Sequence, residues 1–120
     1  MAKSAVILIR HSPYGLTQAA EGLRHLLGAL SNGFQTIGVL VDDGVYVAKS
    51  GQQGPEAGFT SLAATLAQGL KQAGGARILV EKESLATRGL ESSDLIPGLE
   101  IIAAAELADL LREAPNLMIF

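Results

Sequence analysis

Cysteine is absent from all 120 residues. Its absence excludes disulfides, thiolate metal sites, a thiol nucleophile and a persulfide carried on this chain, because each needs a sulfur that can ionise to thiolate. Charge is also sparse: Asp, Glu, Lys and Arg make up 18% of the residues, and the net charge is −3. No cluster of Lys or Arg offers a track for a phosphate backbone, so nucleic acid is not expected as a direct partner. No apolar stretch approaches the ~20 residues that span a bilayer. The short apolar run within Met1 to Arg10 has no small-residue cleavage site behind it. A cytoplasmic location without a membrane partner is the expectation.

What is present is an apolar chain: 48% of it is hydrophobic. That is too much for disorder, and for a chain of this length it implies an extensive core, an apolar contact surface, or both. One domain spanning residues 1–120 is expected, since nothing in the sequence suggests a linker, internal repeat, heptad array or low-complexity segment.

Short β-branched and Leu runs alternate with helical stripes. Ala5 to Ile9, Ile37 to Val41 and Arg77 to Val80 are continuously apolar or nearly so, the pattern of strands buried on both faces of a parallel sheet. Between the first two, Thr17 is placed to cap a helix whose stripe is Ala19, Ala20, Leu23, Leu26, Leu27 and Leu30, with Gly33 as its stop. Asp42-Asp43-Gly44 reads as a turn, and Val45 to Val47 as a brief extended or irregular piece. Lys49 to Gly58 reads as the longest loop. Phe59, Leu62, Ala63, Leu66, Leu70 and Ala73 form a second helical stripe, closed by Gly74-Gly75.

Further on, Ser84 to Arg88 is expected as a short helix ended by Gly89, Glu100 to Ala103 as a fourth strand, and Ala105 to Glu113 as a helix with Leu107, Leu110 and Leu111 inward. Pro115 blocks its continuation, and Leu117 to Phe120 is expected as a buried final strand. The alternation predicts an α/β three-layer sandwich with a mostly parallel sheet of about five strands, flavodoxin-like or related.

In such a sheet the carboxyl ends of the strands face the ligand crevice, which directs attention to His11 to Tyr14, Asp42 to Tyr46 and Glu81 to Ser84. His11 has the pKa range for acid–base work, but no nucleophile signature accompanies it, and an ordinary loop histidine is the simpler reading. His25, on a helix face, is expected to be inert. Asp42 and Asp43 could serve as an acid and base or meet a hard cation, but adjacent side chains at a strand end point apart, and a turn-stabilising role is the simpler reading. The Ser50-Gly51-Gln52-Gln53-Gly54 piece lacks the Gly-Lys-Ser/Thr ending of a phosphate loop and the spacing of a dinucleotide turn. Gln52 and Gln53, which both donate and accept hydrogen bonds, are candidate interface or ligand residues. No His and carboxylate spacing resembles a metal motif, and no metal or cofactor is expected.

Several segments together carry a resemblance. Glu21-Gly22-Leu23, Ile37-Gly38-Val39, Asp43-Gly44-Val45-Tyr46, Gly51-Gln52-Gln53, Thr87-Arg88-Gly89 and the apolar end at Phe120 run in order over nearly the whole chain. The sequence resembles the TusC/DsrF branch of the DsrE/DsrF-like sulfur-relay family. The resemblance implies a three-layer α/β fold and assembly as a homo-oligomer or with DsrE/TusD-like and DsrH/TusB-like proteins. The pathways it implies are tRNA 2-thiolation or intracellular sulfur oxidation.

In the sulfur-carrying members the acceptor cysteine follows the third strand, ahead of an Arg-Gly pair. By that count Glu81 stands in its place here, so the resemblance implies a non-catalytic subunit, with Tyr46, Gln52 and Gln53 near an interface or crevice. The competing reading is a small-ligand or nucleotide-binding module, or an enzyme using His11 with Asp42 or Asp43.

Overall fold

Continuous apolar runs can be buried on both sides only if a sheet is covered on both sides, and that is how they are used here. The computed structural model describes residues 4–51, 61–73 and 76–120. Five strands, β1 (Ser4–Ile9), β2 (Gln35–Leu40), β3 (Arg77–Glu81), β4 (Glu100–Ile102) and β5 (Leu117–Ile119), form one sheet in the order β4-β3-β2-β1-β5. Every pairing is parallel. The connections carry the helices α1 (Gln18–Ser31), α2 (Leu62–Ala73), α3 (Lys82–Thr87) and α4 (Ala104–Arg112).

Alternation along β1 divides the core in two. Ile7 and Ile9 point to one face, where they join Leu40, Ile78 and Val80 beneath Leu23 and Leu26 of α1 and Leu66 of α2. Val6 and Leu8 point to the other, with Val39, Leu79 and Leu107 of α4, flanked by Leu110 and Leu111. The period of two along each central strand thus feeds two cores at once, which is why no polar alternation marks them in the sequence. Gly22 lets α1 lie close on this layer, since a Cβ there would come within 2.8 Å of Ile9 Cγ1 and 3.0 Å of Phe120 Cβ.

The expected three-layer α/β architecture is observed, and strand and helix limits agree to within one or two residues, the usual scatter of helix and strand ends. Four local expectations are corrected. Thr17 does not cap α1 with its side chain: its backbone is helical (φ −94°, ψ −16°) rather than extended, so the hydroxyl cannot reach the first amides. Ala20 is exposed, one position off the buried stripe of Ala19, Leu23 and Leu26.

Val45 to Val47 are not extended; they lie within a 3-10 helix, Asp42–Ala48. Three residues per turn put Val45 and Ala48 on one side, and both are fully buried. The tight turn is also demanded by crowding, because a Cβ on Gly44 would sit 2.0 Å from the carbonyl oxygen of Ile9.

Finally, the closing strand is not buried. Leu117, Met118 and Ile119 are 38%, 41% and 60% exposed, since β5 pairs with β1 on one side and ends the sheet on the other. Phe59 of the predicted second stripe lies outside the described residues, while Ala63 and Leu66 are buried as expected.

Candidate functional site at the strand ends

Because the strands are all parallel, their carboxyl ends share one side of the sheet. His11 and Tyr14 follow β1, Asp42, Asp43 and Tyr46 follow β2, and Glu81 is the last residue of β3. Gln52 and Gln53 lie outside the described residues; the loop that leads to them is tied down by Ser50, whose amide and hydroxyl both donate to the Asp94 carbonyl at 2.8 and 2.9 Å.

The described polar groups at this end mostly serve one another. Asp42 has a left-handed backbone (φ 50°), a conformation that Asp tolerates better than most residues. Its N–H donates to Ser84 Oγ at 2.8 Å, and the Ser84 hydroxyl donates to Glu81 Oε1 at 2.5 Å. Glu81 therefore does not simply face solvent: it is half-buried and holds the hydroxyl that holds the turn after β2. Asp43 points elsewhere and receives Arg88 through Nε at 3.0 Å and a second guanidinium nitrogen at 2.9 Å. Arg88 also donates to the Ser84 carbonyl at 3.1 Å. The Glu83 carboxylate reaches across to accept the Ala104 amide at the start of α4, 2.9 Å away.

Two further candidates have local partners. The Tyr14 hydroxyl accepts the Leu62 amide at 3.2 Å, satisfying one of the first-turn donors of α2, while Ser61 Oγ accepts the Ala64 amide at 3.1 Å. The Tyr46 carbonyl accepts the Lys49 amide at 3.2 Å, and the residue is half-buried. His11 differs: its Nδ1 is buried and has no hydrogen-bond partner among the described residues.

Among the described residues no group of three or more His, Asp or Glu side chains is placed to hold a metal ion. The structure thus gathers His11, Asp42, Asp43 and Glu81 at one end, but Asp42 and Asp43 diverge into separate contacts. Ser84 lies in the Glu81 to Ser84 segment and Arg88 in Thr87-Arg88-Gly89, but the sequence did not assign either of them the contacts made here. The available signal was the pairing of an acid and a base on two separate motif segments, Asp43-Gly44 and Arg88-Gly89.

His25, exposed on α1, has an aromatic neighbour. Its ring lies 4.9 Å from that of Phe120, Nδ1 is 2.8 Å from the Glu21 carbonyl, and it lines a groove of about 710 Å³ between α1 and β5.

A five-stranded parallel sheet flanked by helices, with an acid-bearing 3-10 turn after β2 and a carboxylate ending β3, defines a small α/β protein of the three-layer class. Residues 3–120 match the DsrE/DsrF-like family (DsrE), and the chain belongs to that family.

Two uncharacterized proteins are similar to this chain along nearly its whole length. The uncharacterized protein MK0008 of Methanopyrus kandleri is 31% identical over 114 residues, covering 95% of this chain and 91% of that protein. The uncharacterized protein MJ0989 of Methanocaldococcus jannaschii is 31% identical over 114 residues, 95% of this chain and 96% of its own length. The crystal structure of the ychN protein from E. coli superposes with a TM-score of 0.81 at 21% identity, covering 98% of this chain and 99% of that one, a likeness of fold.

Proposed function

We propose that the chain is a non-catalytic subunit of a cytoplasmic sulfur-relay assembly, working beside a cysteine-bearing relative that carries the sulfur. The observation that carries the reading is the lack of any cysteine in a chain belonging to the DsrE/DsrF-like family. A persulfide needs a thiol, and the carboxylate of Glu81 can neither form nor hold one. Its contact with Ser84 supports a structural use of that position, since it fixes the turn at Asp42. Partners of the DsrE/TusD and DsrH/TusB kinds suit this role, in tRNA 2-thiolation or in intracellular sulfur oxidation.

The test is co-expression with a cysteine-bearing family member from the same source, followed by native mass measurement and loading with isotopically labelled sulfur. A mixed complex with label on the relative alone is the expected result. Two species that elute separately at micromolar concentration would overturn the proposal.

One observation favours a second reading, a small-ligand or nucleotide-binding module or an enzyme based on His11: the buried Nδ1 that lacks a partner among the described residues. Buried polar atoms are rarely left so, and a ligand that donates to or accepts from that nitrogen would account for it. Under this reading the purified protein carries a small molecule, and His11→Ala abolishes its retention.

A further inference from the structure

Of the large apolar side chains that are exposed among the described residues, three of five are consecutive: Leu117, Met118 and Ile119. They constitute β5, an edge strand. Edges of sheets are ordinarily protected, because a row of free amides and carbonyls flanked by apolar side chains invites another strand. The opposite edge also exposes an apolar side chain, Ile101, but β4 opens with a charge: Glu100 is bonded to Arg77 of β3 at 2.9 and 3.0 Å. By contrast, β5 carries no charge, proline or bulge.

Its hydrogen-bonding groups are also placed for a partner. Asn116 and Phe120 turn theirs toward β1, through Val6 N–H to the Asn116 carbonyl, Phe120 N–H to the Leu8 carbonyl and Arg10 N–H to the Phe120 carbonyl, at 2.8, 2.8 and 2.7 Å. Groups alternate along a strand, so the amides and carbonyls of Leu117 and Ile119 point away from the sheet.

We infer that β5 pairs antiparallel with β5 of a second copy, about a two-fold axis at Met118. This deepens the reading of the chain as an assembling subunit. The axis sets Leu117 opposite Ile119 of the other copy, and each such pair exchanges both of its outward backbone hydrogen bonds.

The side chains match as well. Leu117 and Ile119 lie in register with Val6 and Leu8, so all four leucines and isoleucines at the seam fall on the α4 side of the joined sheet. Met118 is in register with Ile7 and lines the groove beside α1 with His25, Gly28 and Phe34. A three-residue ladder alone covers far less than the ~800 Å² per partner of a stable interface, and this groove adjoins it as further apolar surface.

Pairing of β5 with a β4 edge instead would be head-to-tail and would propagate into filaments; the Arg77–Glu100 pair stands against it, leaving the closed two-fold arrangement.

The experiment is sedimentation equilibrium of the full chain across a concentration series, wild type against Ile119→Lys and Ile119→Val, with amide hydrogen exchange at Leu117 and Ile119. Wild type and Ile119→Val should dimerise, whereas Ile119→Lys should weaken dimerisation at least ~100-fold, since a lysine is buried at both symmetric positions. The two amides should exchange slowly at high concentration and quickly on dilution.

A monomeric wild type overturns the inference, as does an oligomer in which these amides exchange quickly at every concentration. Exchange on the wild type keeps the test valid should Ile119→Lys fail to fold. The relay reading is judged separately: a mixed complex with a cysteine-bearing relative that survives in Ile119→Lys leaves that reading standing, whatever becomes of the two-fold pairing.

Discussion

The two edges of this sheet are alike in length and pairing, and both expose apolar side chains, but only one of them carries a charge. Strands β4 and β5 each have three residues, and each pairs parallel with one inner neighbour. The first begins with a carboxylate bridged to a guanidinium, so any strand approaching it must displace an ion pair and its water. The second offers only Leu, Met and Ile. The difference teaches that exposure of apolar side chains is informative when the same molecule shows how it shields the equivalent position elsewhere.

The sharpest way to break this comparison is to damage the frame that both edges share. Gly44→Ala should cost about 3 kcal/mol or more, because the added methyl meets the backbone carbonyl of Ile9, which has no rotamer with which to yield. Urea unfolding checks it; a loss below about 1 kcal/mol would mean that the turn can move away from β1.

Next in size is removal of the shield. With Arg77→Leu and Glu100→Leu together, β4 should become adhesive, raising association about 30-fold, roughly 2 kcal/mol, and giving species larger than a dimer in light scattering. A double variant that scatters like the wild type would show that the ion pair does not protect that edge.

Ser84→Ala removes the hydroxyl between Glu81 and the Asp42 amide, leaving a donor and a carboxylate without their shared partner. It should destabilise the chain by about 1–2 kcal/mol in urea, and speed exchange of the Asp42 amide, without altering dimerisation through β5.

The smallest effect belongs to the ion pair as a source of stability. Hydrogen bonds from Arg77 hold the Glu100 carboxyl below its ordinary range. A carboxyl depressed on folding contributes stability above its unfolded pKa and loses it as pH falls through the folded one. The acid limb of the stability curve should therefore flatten slightly in Glu100→Gln, by at most about 0.5 kcal/mol, since both side chains are half exposed and screened by solvent. A larger change would mean that the pair does more than guard.

Much of the fold was legible because burial on both sheet faces leaves an unmistakable mark. The runs at Ala5 to Ile9 and Ile37 to Val41 can satisfy their apolar side chains only between two layers of helices, and they do. The same logic misled at the end of the chain. Leu117 to Phe120 looks like a buried final strand because an apolar edge and a strand enclosed on both sides are written in the same residues.

The site was legible only as a neighbourhood. Parallel topology placed His11, Asp42 and Glu81 at one end, as the sequence implied, but the link from Asp42 to Ser84 spans 42 positions and depends on an unusual backbone angle at Asp42 that no local pattern announces. The 3-10 turn was hidden for a related reason: its cause is the proximity of Ile9, a residue from a different strand.

That proximity changes how the Asp43-Gly44-Val45-Tyr46 segment should be understood. Gly44 is there because nothing larger fits beside β1, Val45 because it is fully enclosed, and Asp43 because Arg88 faces it. Such a signature works as an address rather than a tool: a chain that bears it announces which shape it will take, while leaving open which reaction, if any, that shape will host.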